Sequence, residues 1–167
     1  MDAYAQNVDT TMSVSKFESE VKYIPQDVMT VYNRFSDLRN LAALKEKLAD
    51  PEVMAKMSEQ VPADKMDEAR QQLENMQFDQ DSVQLSTPVG PLKLCVVERD
   101  EPKCIKFASE GAMLPLYLWI QLLPHGEGET KMRVTVGAEV NMFMKGMVSK
   151  PLQQAADGLA NILSVIR

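Results

Sequence analysis

Residues 131–167 read KMRVTVGAEVNMFMKGMVSKPLQQAADGLANILSVIR, and their hydrophobic period changes once. Met132, Val134, Val136, Ala138 and Val140 alternate with Lys131, Arg133, Thr135, Gly137 and Glu139, the pattern of a strand with one buried face. From Asn141 to Arg167 the spacing is helical. Met144, Met147 or Val148, Leu152, Ala155 or Ala156, Leu159, Ile162, Leu163 and Ile166 form one long apolar stripe. Pro151 lies inside it. Proline cannot donate to the carbonyl of Met147, so the helix kinks there or begins anew at Ser149. A one-sided strand that leads straight into a long one-sided helix needs the helix as its cover.

Upstream of this stretch the period is also two. Val83, Leu85 and Thr87 alternate with polar residues up to the Pro88-Val-Gly90-Pro91 turn, and Leu92, Leu94 and Val96 follow. Asp100-Glu101-Pro102 turns the chain into Ile105, Phe107 and Ser109. Leu116, Leu118, Ile120 and Leu122 then run to Pro124, and His125–Glu129 is a Gly-rich turn. Some five consecutive strands with tight turns imply an antiparallel meander. Within the central hairpin, pairing Glu98 with Lys103 sets Leu94 against Phe107 and Val96 against Ile105.

The N-terminal half is mixed. Phe17, Ser19, Val21 and Tyr23 alternate with Lys16, Glu18, Glu20 and Lys22, one half-solvated strand ended by Pro25. Val28, Val31, Tyr32 and Phe35, then Leu38, Leu41, Leu44 and Leu48, predict two short helices. Asp50-Pro51-Glu52 reads as a helix start. Val53, Met57 and Val61, then Met66, Leu73 and Met76, predict a helical pair over 50–76, an insertion that forms either a mobile lid or a fixed decoration beside the sheet. Residues 1–14 are polar and aperiodic, a disordered arm in which Met12 is a second possible start, so structure is expected from Ser15 as a single domain, 15–167.

Composition narrows the function classes. The chain has 167 residues, 45% hydrophobic and 25% charged, with a net charge of −6, as expected of one core-forming domain and unsuited to binding nucleic acid by phosphate neutralisation. The longest apolar stretch, Met113 to Leu123, contains Pro115 and Gln121 and is too short for a membrane span. No signal peptide is evident, which predicts a cytoplasmic protein with free thiols.

The segments KFESEVKYIPQDVMTVYNRFSDLRNL, TPVGPLKLCVVERDEPKCIKF, LYLWIQLLP and FMKGMVSKPLQQAADGLANIL resemble the START-like (SRPBCC) superfamily, in particular a Bacteroidetes branch of it. The resemblance implies an α+β helix-grip fold: a curved antiparallel sheet wrapped around a long C-terminal helix. It implies a cavity for a hydrophobic molecule between the two. It also spans several roles: ligand carriage, polyketide cyclase, dehydratase or hydrolase chemistry, and chaperone regulation. The insertion near Asp50 to Glu74 is longer than the pattern leads one to expect.

Residue by residue, the inward parity supplies the expected ligand wall: Leu94, Val96, Ile105, Phe107, Leu118, Ile120, Val134 and Val136 from the sheet, Phe35 from the first helix, and Met144, Met147 and Leu152 from the last. The partner is a lipid, polyketide or aromatic molecule, with no cofactor or metal. The twelve methionines suit either core filling or a soft ligand lining. Polar candidates for an enzyme are Tyr32, Asn33, Glu98, Ser109 and Gln121, without an evident site.

His125 is the only histidine and reads as a solvated turn residue, since a zinc site takes three or four convergent ligands. Asp79-Gln-Asp81 lacks the glycine and the later glutamate of a calcium loop. Cys95 and Cys104 are expected as diagonal neighbours on one face, too far apart to bond. Tyr117 and Trp119 fall on the outer face, where an apolar patch offers a homodimer contact.

Overall fold

The computed structural model describes residues 13–42, 50–60, 75–87, 90–111 and 115–164, with single positions at 64, 67 and 71. Chain order is β1 (Ser13–Glu18), β2 (Lys22–Ile24), α1 (Val28–Ser36), α2 (Arg39–Ala42), α3 (Pro51–Gln60), β3 (Gln77–Phe78), β4 (Ser82–Thr87), β5 (Gly90–Asp100), β6 (Cys104–Glu110), β7 (Leu116–Pro124), β8 (Thr130–Val140) and α4 (Met142–Ser164). The sheet is antiparallel, in the order β1-β8-β7-β6-β5-β4-β3, with β2 pairing on β8 beside β1. α4 lies on β8, β1 and β2, and α1 lies on β7 and β6.

β1 starts two residues earlier than its side chains suggest. Ser13 and Val14 pair with Val140 and Glu139, a backbone ladder that leaves no trace in hydropathy. The expected single strand 16–24 is also two strands. Ser19 N donates to the Val134 carbonyl, and the Ser19 hydroxyl accepts from Val134 N, so the chain steps out of register there. The step reverses the parity: Phe17 and Ser19 are buried, but Val21 and Tyr23 face solvent and Ile24 takes the inward place.

α1 begins as a helix should. The Asp27 carboxylate accepts from Thr30 N at 3.2 Å, which satisfies one of the free first-turn amides. Its Val31, Tyr32 and Phe35 are buried against the sheet. α3 starts where Asp50-Pro51 predicts, with the Asp50 carboxylate accepting from Glu52 N, and it rests against α4. The second stripe of the insertion falls largely outside the described residues, as does the arm 1–12. The last helix is continuous through Pro151 and does not restart at Ser149.

The hairpin register differs from the expectation. Leu94 pairs with Ser109, Val96 with Phe107, Glu98 with Lys106 and Arg99 with Ile105, with a bulge at Val97. The extra residue leaves Val97 exposed and turns Arg99 toward the inner side of the sheet. The register set by the Asp100–Cys104 turn also separates the cysteines. Cys95 pairs with Ala108, four residues along β6 from Cys104, so they are not diagonal neighbours, and both thiols are free.

Candidate functional site: the inner face of the sheet

Three rungs cross the concave face. The deep rung runs Ser19–Val134–Ile120–Ile105–Arg99. The middle rung runs Phe17–Val136–Leu118–Phe107–Val96. The third runs Ser15–Ala138–Leu116, passes to Ser109, whose hydroxyl accepts from Leu116 N at 2.9 Å, and ends on Leu94 and Val83. Because side chains alternate along each strand, all three rungs face α1 and α4.

Their burial is graded. On the deep rung Val134 and Ile105 are 0% exposed, sealed beneath α1 by Val31 and Phe35. On the middle rung Phe107 is buried, Val136 keeps 8% and Leu118 7%, and Val96 is half-buried. On the third rung Ala138 is fully buried, Val83 keeps 6% and Leu94 9%, while Leu116 and Ser109 are half-buried. The apolar wall is thus closed at the α1 end and opens toward the third rung, beside the start of α4. We call that end the mouth.

α4 explains the gradient. Ala156 and Ala160, one turn apart, are fully buried, and Leu163 nearly so. These small side chains let the second half of the helix sit close on the sheet. In the first half, Leu152 packs against the core but is only half-buried, as are Met144 and Val148 on the preceding turns. Phe143 is 83% and Met147 72% exposed. Met147 therefore is not part of the wall. The helical phase set by Leu152 and Ala156 puts Val148 there instead.

The remaining expected wall residues, Phe35, Leu94, Val96, Ile105, Phe107, Leu118, Ile120, Val134 and Val136, share the concave side with Met144 and Leu152. Phe17, Leu116 and Leu92 belong to the same face and escaped the sequence reading. Phe17 and Leu116 had the parity to be found. Ile105 and Ile120 are sealed under α1, so they form the floor rather than the accessible wall.

The polar candidates do not converge. Glu98 and Gln121 lie on the outer face, where Gln121 accepts from Arg133 and Thr135. Asn33 is on the exposed side of α1. Tyr32 is buried near Glu101 and Arg99, and burial pushes its phenol up from the ordinary value. Ser109 alone sits on the concave face. His125 packs its ring 5.0 Å from Tyr23 and places Nε2 3.4 Å from Glu129.

Tyr117 and Trp119 lie outward, as their parity predicts. Trp119 covers Gly137, and Lys16 and Lys106 stand over its ring at 4.9 and 5.5 Å. The Tyr117 hydroxyl donates to Glu139. The aromatic pair is clothed by its neighbours' charged side chains.

No protein-family model matches the sequence, and no curated protein is similar to it. Solved structures are. A norcoclaurine synthase point mutant from Thalictrum flavum aligns over 93% of this chain and 95% of its own, with a TM-score of 0.60 at 9% identity. A second norcoclaurine synthase structure from Thalictrum flavum aligns over 98% of this chain and 90% of its own, with a TM-score of 0.58 at 12% identity. An HSP90 activator from Plasmodium falciparum aligns over 88% and 92%, with a TM-score of 0.50 at 15% identity. The fold is a helix grip. At these identities the likeness shows architecture and leaves the chemistry to the chain's own residues. In this helix grip the sheet supplies an apolar wall, α1 a floor and α4 one side.

Proposed function

We propose that the protein binds a small hydrophobic molecule between the inner face of the sheet and α4. One observation carries the reading: the apolar burial gradient from Ile105 and Val134, fully sealed, to Val136, Leu118 and Leu94, which retain accessible surface on the same concave face. A ligand groove is an apolar recess with one open end, and an inner face that becomes accessible toward one end fits that form. The molecule lies along the middle rung, over Phe107 and Leu118, against Met144 and Leu152.

Neighbours with this fold include a synthase and a chaperone activator, so the same recess also suits a cyclase-like or hydrolase-like reaction. The separation of Glu98, Asn33 and Gln121 from the groove speaks against that alternative. The interaction-module alternative draws on the bare Phe143 and Met147 side chains. Native mass spectrometry of freshly purified protein tests the main reading. A co-purifying apolar adduct, lost when Leu118 is changed to Trp to fill the recess, is the expected result. An interior that takes up neither an adduct nor the neutral dye Nile red overturns it.

A further inference from the structure

We infer that the groove, if it binds a hydrophobic molecule as proposed above, selects an uncharged amphiphile and takes it apolar end first. The argument lies in which side chains face the recess. Among the described residues the middle rung, Phe17, Val136, Leu118, Phe107 and Val96, carries no polar group at all. The inward positions of α4, Met144, Val148, Leu152, Ala156 and Leu159, carry none either. The floor has one cation, Arg99, and it is spent: its guanidinium donates to the Ser36 carbonyl and to Asp81. Lys22 shares the parity of Met132 but stands on β2 at the sheet's edge, beyond the deep rung.

A carboxylate or phosphate carried inside would lose its water and meet no counter-charge, which strongly disfavours it. A hydroxyl or carbonyl asks for a single partner. The mouth rung supplies two hydroxyls, Ser15 at its β1 end and Ser109 on β6. Ser109 uses its oxygen to accept from Leu116 N, and its own proton is left to donate. Ser15 lies on the same rung across Ala138 and Leu116, and among the described residues its hydroxyl has no hydrogen-bond partner. They lie three strand spacings apart, about 14 Å. A neutral head therefore finds a donor at the mouth while its tail occupies the dry middle rung.

Isothermal titration of the full-length chain with a matched pair, 1-decanol and decanoate at pH 8, tests this. The expected result is binding of 1-decanol at least tenfold tighter than decanoate. Ser109→Lys, which puts a cation at the half-buried mouth, is expected to shrink or reverse that preference, and Ser109→Ala to weaken 1-decanol about threefold or more. Equal or tighter binding of decanoate to the unaltered protein overturns the inference while leaving the groove reading intact. Failure of both decyl probes together with Nile red removes the groove reading, and the inference with it. The unaltered chain alone is decisive, so a variant that does not fold leaves the test standing.

Discussion

The guanidinium of Arg99 holds the carbonyl of Ser36, the last residue of α1, through Nη2 at 2.6 Å and Nε at 3.0 Å. The same Nη2 lies 2.7 Å from Asp81. One side chain thereby ties the C-terminus of the floor helix to β5 and to the turn before β4. It reaches there only because the Val97 bulge shifts β5 by one residue.

Arg99→Ala frees the α1 terminus and leaves Asp81 without its partner. Hydrogen bonds to charged groups contribute about 1.5–3 kcal/mol, and partial exposure takes this to the lower end, so a loss of about 1–2 kcal/mol is expected. Urea unfolding of the variant measures it. Deleting Val97 should cost more, since it turns Arg99 outward while keeping its charge.

Gly137→Ala is destabilising. A Cβ there falls 2.8 Å from Trp119 Cζ3 and 3.1 Å from Val14 Cγ1. The indole must move out from beneath Lys16 and Lys106. Overpacking of this kind costs about 1–3 kcal/mol, partly offset by alanine's better strand propensity. Trp119 is the only tryptophan, so its fluorescence spectrum should shift in the folded variant. An unchanged spectrum and melting temperature would show that the outer face is looser than this contact requires.

Truncation along the concave face should follow the gradient. Ile105→Ala, in the sealed floor, is expected to cost about 2–5 kcal/mol. Leu94→Ala, at the mouth, has less packing to lose and should cost less than half as much. Equal costs would mean that the inner face is uniformly packed.

The Asp27 cap predicts a pH dependence. Hydrogen bonds from the Thr30 hydroxyl and the Thr30 amide hold its carboxyl below the ordinary aspartate range. A depressed folded-state value means that the unfolded chain takes up the proton first as pH falls. The stabilisation is therefore present above the ordinary aspartate value and is lost as pH drops through the lowered one. The stability gap between the unaltered protein and Asp27→Ala should be widest near neutrality and close toward pH 2.

Both thiols should be slow to alkylate at neutral pH. Burial, then nearby Glu98 and Asp100, pushes the Cys104 thiol up to about 11. Burial also raises Cys95, helped by the bond that its Sγ donates to Glu110. Timed iodoacetamide labelling with peptide mapping should find both largely unmodified, against complete modification in urea.

Much of this architecture is visible in alternation alone. β8 shows it without a fault, and Leu118, Ile120, Val134 and Val136 land on the concave face because both strands are regular over that span. The failures sit where the backbone departs from regularity. The Asp100–Cys104 turn is wider than a Glu98–Lys103 pairing allows, which puts that register three residues off at the turn, and the bulge at Val97 takes back one of them. Ser19 breaks β1 from β2 through backbone bonds to Val134, which hydropathy does not record, and Tyr23 consequently came out on the wrong side. On α4, Met147 and Val148 are equally apolar. Only the close seating of Ala156 and Ala160 sets the helical phase that favours Val148.

Pro151 stands between the two unlike halves of α4. Its missing amide leaves the Met147 carbonyl without the usual donor, at the junction of the seated segment and the one that borders the mouth. Bending stiffness is therefore lowest at one point, and the sheet need not deform for the recess to change width. If the recess takes a hydrophobic molecule as proposed, the range of guest sizes is then set at this joint, and the preference for an uncharged guest by the side chains of the strands.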